Sequence, residues 1–184
     1  EEIIWNTSDG LTLRGLFVYP RGWTPGQRAP TIVQVHGGPY GGISLSGDLL
    51  NADASELHFW ADRGFAIFIS DYRGGKGYGT RYFHEAVATH RFMEIYASDI
   101  LAGVDALVQR GKSDPQKLAL IGHSWGSTTT NWIAANDGRF KAVVSKEGWS
   151  SFLIAGEPDL GWESAHDAEI WFGGKPKDAK PAYD

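Results

Sequence analysis

The 184-residue chain contains no cysteine and one methionine. That excludes a disulfide framework, a thiolate metal site and a cysteine nucleophile. No apolar run approaches the ~18 residues that a membrane-spanning helix needs, and no signal-like apolar region opens the chain. Runs of lysine and arginine are also missing: 17 basic against 22 acidic side chains leave a formal charge of −5. A mildly acidic balance argues against a nucleic-acid or anionic-membrane surface as partner. There are no internal repeats and no low-complexity tract. The lack of cysteine suits cytoplasm and periplasm alike, so the compartment stays open.

What is present is ordinary in bulk and unusual in two residue types. At 42% hydrophobic and 21% charged, the composition is that of a soluble globular domain. This length suits one domain that buries roughly 70% of its unfolded-chain surface. Glycine reaches 24 and tryptophan 8. The first suggests tight turns and close backbone approaches, the second aromatic side chains lining a concave site or an interface. The chain begins at Glu1 rather than Met, so a processed chain or a piece of a longer one is expected.

Strand and helix signals alternate. After the turn Ser8-Asp9-Gly10, residues 11–19 read as a strand, and 21–30, with its prolines and glycines, as a loop. Short apolar runs at 31–35, 65–69, 117–121 and 140–144 read as buried strands. Helical patterns occupy 54–63, ended by Gly64, and 98–110, ended by Gly111; a third starts after Gly126 and runs to about Asn136. His84 and His90 fall on a further helix, six apart rather than i,i+4, so they do not suggest a metal pair. Buried strands separated by helices imply a mostly parallel, doubly wound α/β sheet with helices on both faces. Ligands of such sheets sit at the carboxyl ends of the strands, where three Gly-rich loops fall, after Val35, Asp71 and Ile121.

The most specific signal is Gly122-His123-Ser124-Trp125-Gly126, a G-x-S-x-G turn between an apolar strand and a helix. A strand reversing into a helix within a few residues throws the Ser124 hydroxyl outward, and glycines on either side leave room for that backbone. The serine then stands at a helix N-terminus, which favours developing negative charge. Ser124 is therefore the candidate nucleophile. His123, beside it on a sharp turn, points away and is read as packing support, not as the base. An acyl-transfer site also needs two donors about 3 Å from the oxyanion. Trp125 N–H supplies one, and the loop His36-Gly37-Gly38-Pro39, through the amides of Gly37 and Gly38, supplies the other. His36 is read as structural, and Asp71 and Arg73 as a loop-bracing ion pair.

Taken together, Ser8-Asp-Gly10, His36-Gly-Gly-Pro-Tyr40, Asp71-Tyr-Arg-Gly-Gly-Lys-Gly-Tyr-Gly79, Gly122-His-Ser-Trp-Gly126, Asn131-Trp-Ile and Arg139-Phe-Lys-Ala-Val-Val-Ser145 resemble the catalytic domain of the prolyl oligopeptidase (S9) serine peptidases. The likeness runs from about residue 5 to 151, nearest to the acylaminoacyl-peptidase and dipeptidyl-peptidase branches. It implies an α/β-hydrolase fold, a Ser-Asp-His triad and cleavage of short peptides or acyl-peptides without any cofactor. By position it makes Ser124 the nucleophile and Gly38 and Trp125 the oxyanion donors. Separately from the resemblance, Tyr40 and Trp149 are the expected substrate-contacting aromatics; the tail aromatics, Trp149 among them, either line a pocket for an apolar side chain or pack over the sheet. One departure is Ser127, where the family often has a second glycine. Another is the β-propeller that precedes the domain in most members; this chain starts where such a propeller would end.

The acid and histidine of that order should follow two further strands. Residues 145–184 contain no valine, only two isoleucines, and many glycines, prolines and aromatics. They read as loops and short helices, so the domain, taken as residues 1–184, is expected to be incomplete at its C-terminus. Asp159 and His166 have the right order but follow no strand; the acid and histidine are expected beyond Asp184. A companion fragment or a second copy of the chain would then cover the sheet edge. Two rivals stay open: a carboxylesterase acting on a small ester, and a non-catalytic binding module of the same fold.

Overall fold

The computed structural model describes residues 1–38, 41–42, 52–149, 169 and 172–174; for 52–56 it describes the backbone alone. The strands are β1 (Glu2–Asn6), β2 (Thr12–Val18), β3 (Ala29–Val35), β4 (Ala66–Asp71), β5 (Ser113–His123) and β6 (Phe140–Lys146). The helices are α1 (Ala52–Ala61), α2 (Thr80–Ala88), α3 (Phe92–Gln109) and α4 (Trp125–Asn136). One sheet joins the strands in the order β1-β2-β4-β3-β5-β6. The β1–β2 and β2–β4 pairings are antiparallel, and those of β4–β3, β3–β5 and β5–β6 are parallel. The sheet is thus mixed and mostly parallel, as the alternating pattern implies.

The main core lies between the sheet and α2, α3 and α4. It includes Ile3, Trp5, Phe17, Val33, Phe68, Tyr72, Tyr96, Ile100, Leu107, Leu120 and Ile133. Each such side chain contributes about 1.5–3 kcal/mol by leaving water. The opposite face carries a smaller cluster, in which Leu57 and Ala61 of α1 cover Ile67. Helices therefore sit on both faces. At one edge β6 is exposed along most of its length, with Val143 40% and Val144 48% accessible.

Several boundaries differ from the sequence reading for identifiable reasons. β1 escapes the pattern because Ile4 breaks the alternation: it is exposed, while Ile3 and Trp5 point inward. β3 begins inside the segment read as a loop. Pro30 is tolerated because the pairing with β5 shifts register between Ala29 and Thr31 and pairing with β4 starts only at Thr31. α3 starts six residues before the periodic stretch, at Phe92. His90 lies outside α2, with φ of 54°.

Candidate active site

β5 ends at His123 and α4 starts at Trp125, so the whole reversal falls on Ser124. Its backbone has φ 56° and ψ −125°, a conformation that costs a non-glycine residue about 1–3 kcal/mol. The surroundings enforce it. Ser124 N–H donates to Lys146 O of β6 at 2.9 Å, and Ser124 O accepts from the amides of Ser127 and Thr128 at 2.9 and 3.2 Å. Gly126 lets α4 begin against the end of β3: a Cβ there would lie 2.2 Å from Val35 O and 2.4 Å from His36 O. The Ser124 hydroxyl makes no capping bond to α4 and the residue is exposed. Trp125 opens α4, so its N–H is one of the helix-terminal donors that have no intrahelical acceptor.

The loop after β3 lies directly on this turn. A Cβ on Gly37 would stand 2.9 Å from His123 O and 3.2 Å from Ser124 Cβ, so glycine is what permits the approach. Gly38 follows with φ 61°, and its carbonyl accepts from Gly41 N at 3.0 Å. The loop is braced from beneath by the residues after β4. The His36 ring stacks on Tyr72, with centroids 4.2 Å apart and planes 4° off parallel. Tyr72 OH donates to His36 O at 3.1 Å. Burial, reinforced by Tyr96 and Asp71, pushes the Tyr72 phenol well up, so it stays protonated and able to donate. His36 Nε2 faces Asp71 Oδ1 at 3.5 Å, and Lys76 N donates to Gly41 O at 2.7 Å, tying the two loops together.

Arg73 does brace the loop after β4, but its partners are not the expected one. It binds the fully buried Asp99 of α3, through Nε at 2.8 Å and Nη2 at 2.7 Å, and Asp9 of the β1–β2 turn through Nη1 at 2.6 Å. Asp71 faces His36 instead. Asp99, and then Asp9, hold the guanidinium above its usual range, while Arg73 and then Thr7 hold the Asp9 carboxyl below its own. Asp99 was legible in principle: it is the lone acid on the apolar stripe of Tyr96, Ile100, Val104 and Leu107, and a buried carboxylate requires a cation.

The remaining candidates are distributed as follows. His123 is exposed and turned to Glu147, Nε2 to Oε2 3.1 Å. Trp149 is half-buried, edge-on to Trp125 at 6.2 Å between centroids. Tyr40, Asp159 and His166 lie outside the described residues. Among the described residues no group of three or more His, Asp or Glu side chains could hold a metal ion.

A family model described as the prolyl oligopeptidase family matches residues 51–170. An uncharacterized peptidase of Bacillus subtilis, YuxL, is 29% identical over 91% of this chain and 25% of its own length. Dipeptidyl-peptidase 5 of Schizosaccharomyces pombe is 30% identical over 100% of this chain and 26% of its own. The chain therefore spans about a quarter of the length of these curated relatives. The solved, uncomplexed acylaminoacyl peptidase of Pyrococcus horikoshii superposes with a TM-score of 0.73 at 24% identity, covering 100% of this chain and 30% of that one. The strand order, the turn at Ser124 and the match over residues 51–170 together identify the chain as a member of the prolyl oligopeptidase family of serine peptidases, with an α/β-hydrolase fold.

Proposed function

We propose that this chain carries the nucleophile and the oxyanion-binding loops of a serine peptidase that releases short peptides or acyl and aminoacyl residues. Ser124 Oγ attacks the scissile carbonyl while a histidine takes its proton. The tetrahedral oxyanion is held by Trp125 N–H and by the amides of Gly37 and Gly38. The histidine then protonates the leaving amine, and water releases the acyl group from Ser124. An acid and a histidine from residues beyond Asp184 complete the triad. Tyr40 and Trp149 contact the substrate, and no cofactor takes part.

One observation carries this reading: an exposed serine, held at φ 56° at the head of α4, with its hydroxyl not used as a cap and Gly37 packed against it. Strain at a single polar side chain beside helix-terminal amides suits a group that must reach a substrate. The turn and the donors would serve an ester equally well, so the leaving group needs a direct test. The full-length protein should hydrolyse aminoacyl p-nitroanilides as well as p-nitrophenyl esters. Turnover of the ester alone would replace the peptidase by a carboxylesterase; turnover of neither by the folded protein would leave a binding module.

A further inference from the structure

Helix α4 opens with an unfavourable run. Residues 127–131 are Ser, Thr, Thr, Thr and Asn, of which Ser127, Thr129 and Thr130 are 0% exposed and Thr128 5%. Three consecutive threonines are poor helix formers, and buried hydroxyls cost free energy unless they are bonded. Three of the five reach out of the helix to one short segment, residues 145–149. Ser127 Oγ and Ser145 Oγ share a hydrogen bond at 2.5 Å. Trp149 N–H donates to Thr128 Oγ1 at 3.0 Å, and Asn131 Nδ2 donates to Trp149 O at 3.3 Å. Between them Gly148 lies so close that a Cβ would meet Ser127 Cβ at 2.5 Å and Thr128 N at 2.7 Å. Trp149 is thus gripped at both its amide and its carbonyl by side chains of the helix that carries Ser124 at its head. Its ring rests against Trp125 and remains partly open to solvent.

We propose that Thr128 and Asn131 are positioning residues: they clamp the backbone of Trp149 so that its ring forms a wall of the pocket for an apolar acyl side chain. This rests on Ser124 being the nucleophile. The polar run in α4 then has a purpose beyond folding, since it fixes the pocket wall and the nucleophile to one rigid helix.

The test compares Phe- and Ala-p-nitroanilide in the full-length protein. Thr128→Val keeps the shape and removes the acceptor. It should raise KM for the Phe substrate about tenfold, the size expected when a partly buried N–H loses its partner, with a much smaller effect on the Ala substrate. Thr128→Ser should restore the preference. In a Trp149→Ala background, Thr128→Val should add nothing. If Thr128→Val fails to fold, Asn131→Ala carries the same comparison. Folded variants that keep the wild-type Phe-to-Ala ratio would overturn the proposal. So would losses equal for both substrates, or fully additive with Trp149→Ala. Failure of the underlying reading shows differently: the wild type itself would leave Ser124 unlabelled by a fluorophosphonate, and the clamp would lose its role as well.

Discussion

Ser124 and Gly37 meet across a gap that tolerates no added carbon. The φ of 56° at Ser124 persists because three backbone hydrogen bonds and two strands over-determine it. Gly37→Ala should keep the fold, since its φ is not positive, but the new Cβ must push His123 O and Ser124 Cβ back by a few tenths of an ångström. A displacement of that kind in a preorganised site should lower kcat about 100-fold, and because the clash at 2.9 Å is with a backbone oxygen the thermal melt should fall as well. Ser124 was readable from the sequence because its spacing between two glycines has few structural reasons to exist. Tyr72 was not. Nothing local to a tyrosine after a strand says that its ring will lie under His36 and its hydroxyl on the His36 carbonyl. That contact depends on β3 and β4 being neighbours, which only the folded sheet supplies.

The loops and helices around the site are tied by one ionic brace. Arg73 joins the turn before β2, the loop after β4 and the middle of α3. Removing its charge leaves Asp99 buried and uncompensated. Arg73→Met should therefore destabilise by about 3–5 kcal/mol in denaturant unfolding, and Arg73→Lys should not recover it, because one ammonium cannot reach both carboxylates in the same geometry. The Asp9 arm makes a separate prediction. Its carboxyl is depressed below its ordinary value of 3.8, chiefly by the hydrogen bond from Arg73. A depressed carboxylate contributes its full stabilisation above the unfolded-state value and loses it as pH falls toward the folded-state value. The Tm difference between wild type and Asp9→Asn should hold constant down to about pH 4.5 and close progressively below about pH 4. Elements with clean periodicity, such as β4 and the second half of α3, were legible from sequence. β1 and the start of β3 were not, because an exposed Ile4 and Pro30 break the local rules that the sheet then overrides.

The strands bring three glycine-rich loops, distant in sequence, to one rim of a mixed six-stranded sheet. The loops after β3 and β4 are tied by Lys76 N to Gly41 O, and that after β5 packs on Gly37. Alternating strands and helices foretold the layers and the rim. The order β1-β2-β4-β3-β5-β6 came only with pairing, since an antiparallel β2 inserted beside β4 leaves no local mark. The proposed chemistry of this rim depends on one hydroxyl, that of Ser124. Treating the full-length protein with a fluorophosphonate and mapping the adduct by mass spectrometry tests it directly. We predict a single modified peptide carrying Ser124, absent from the Ser124→Ala variant. A folded wild-type protein modified elsewhere, or not at all, would contradict it.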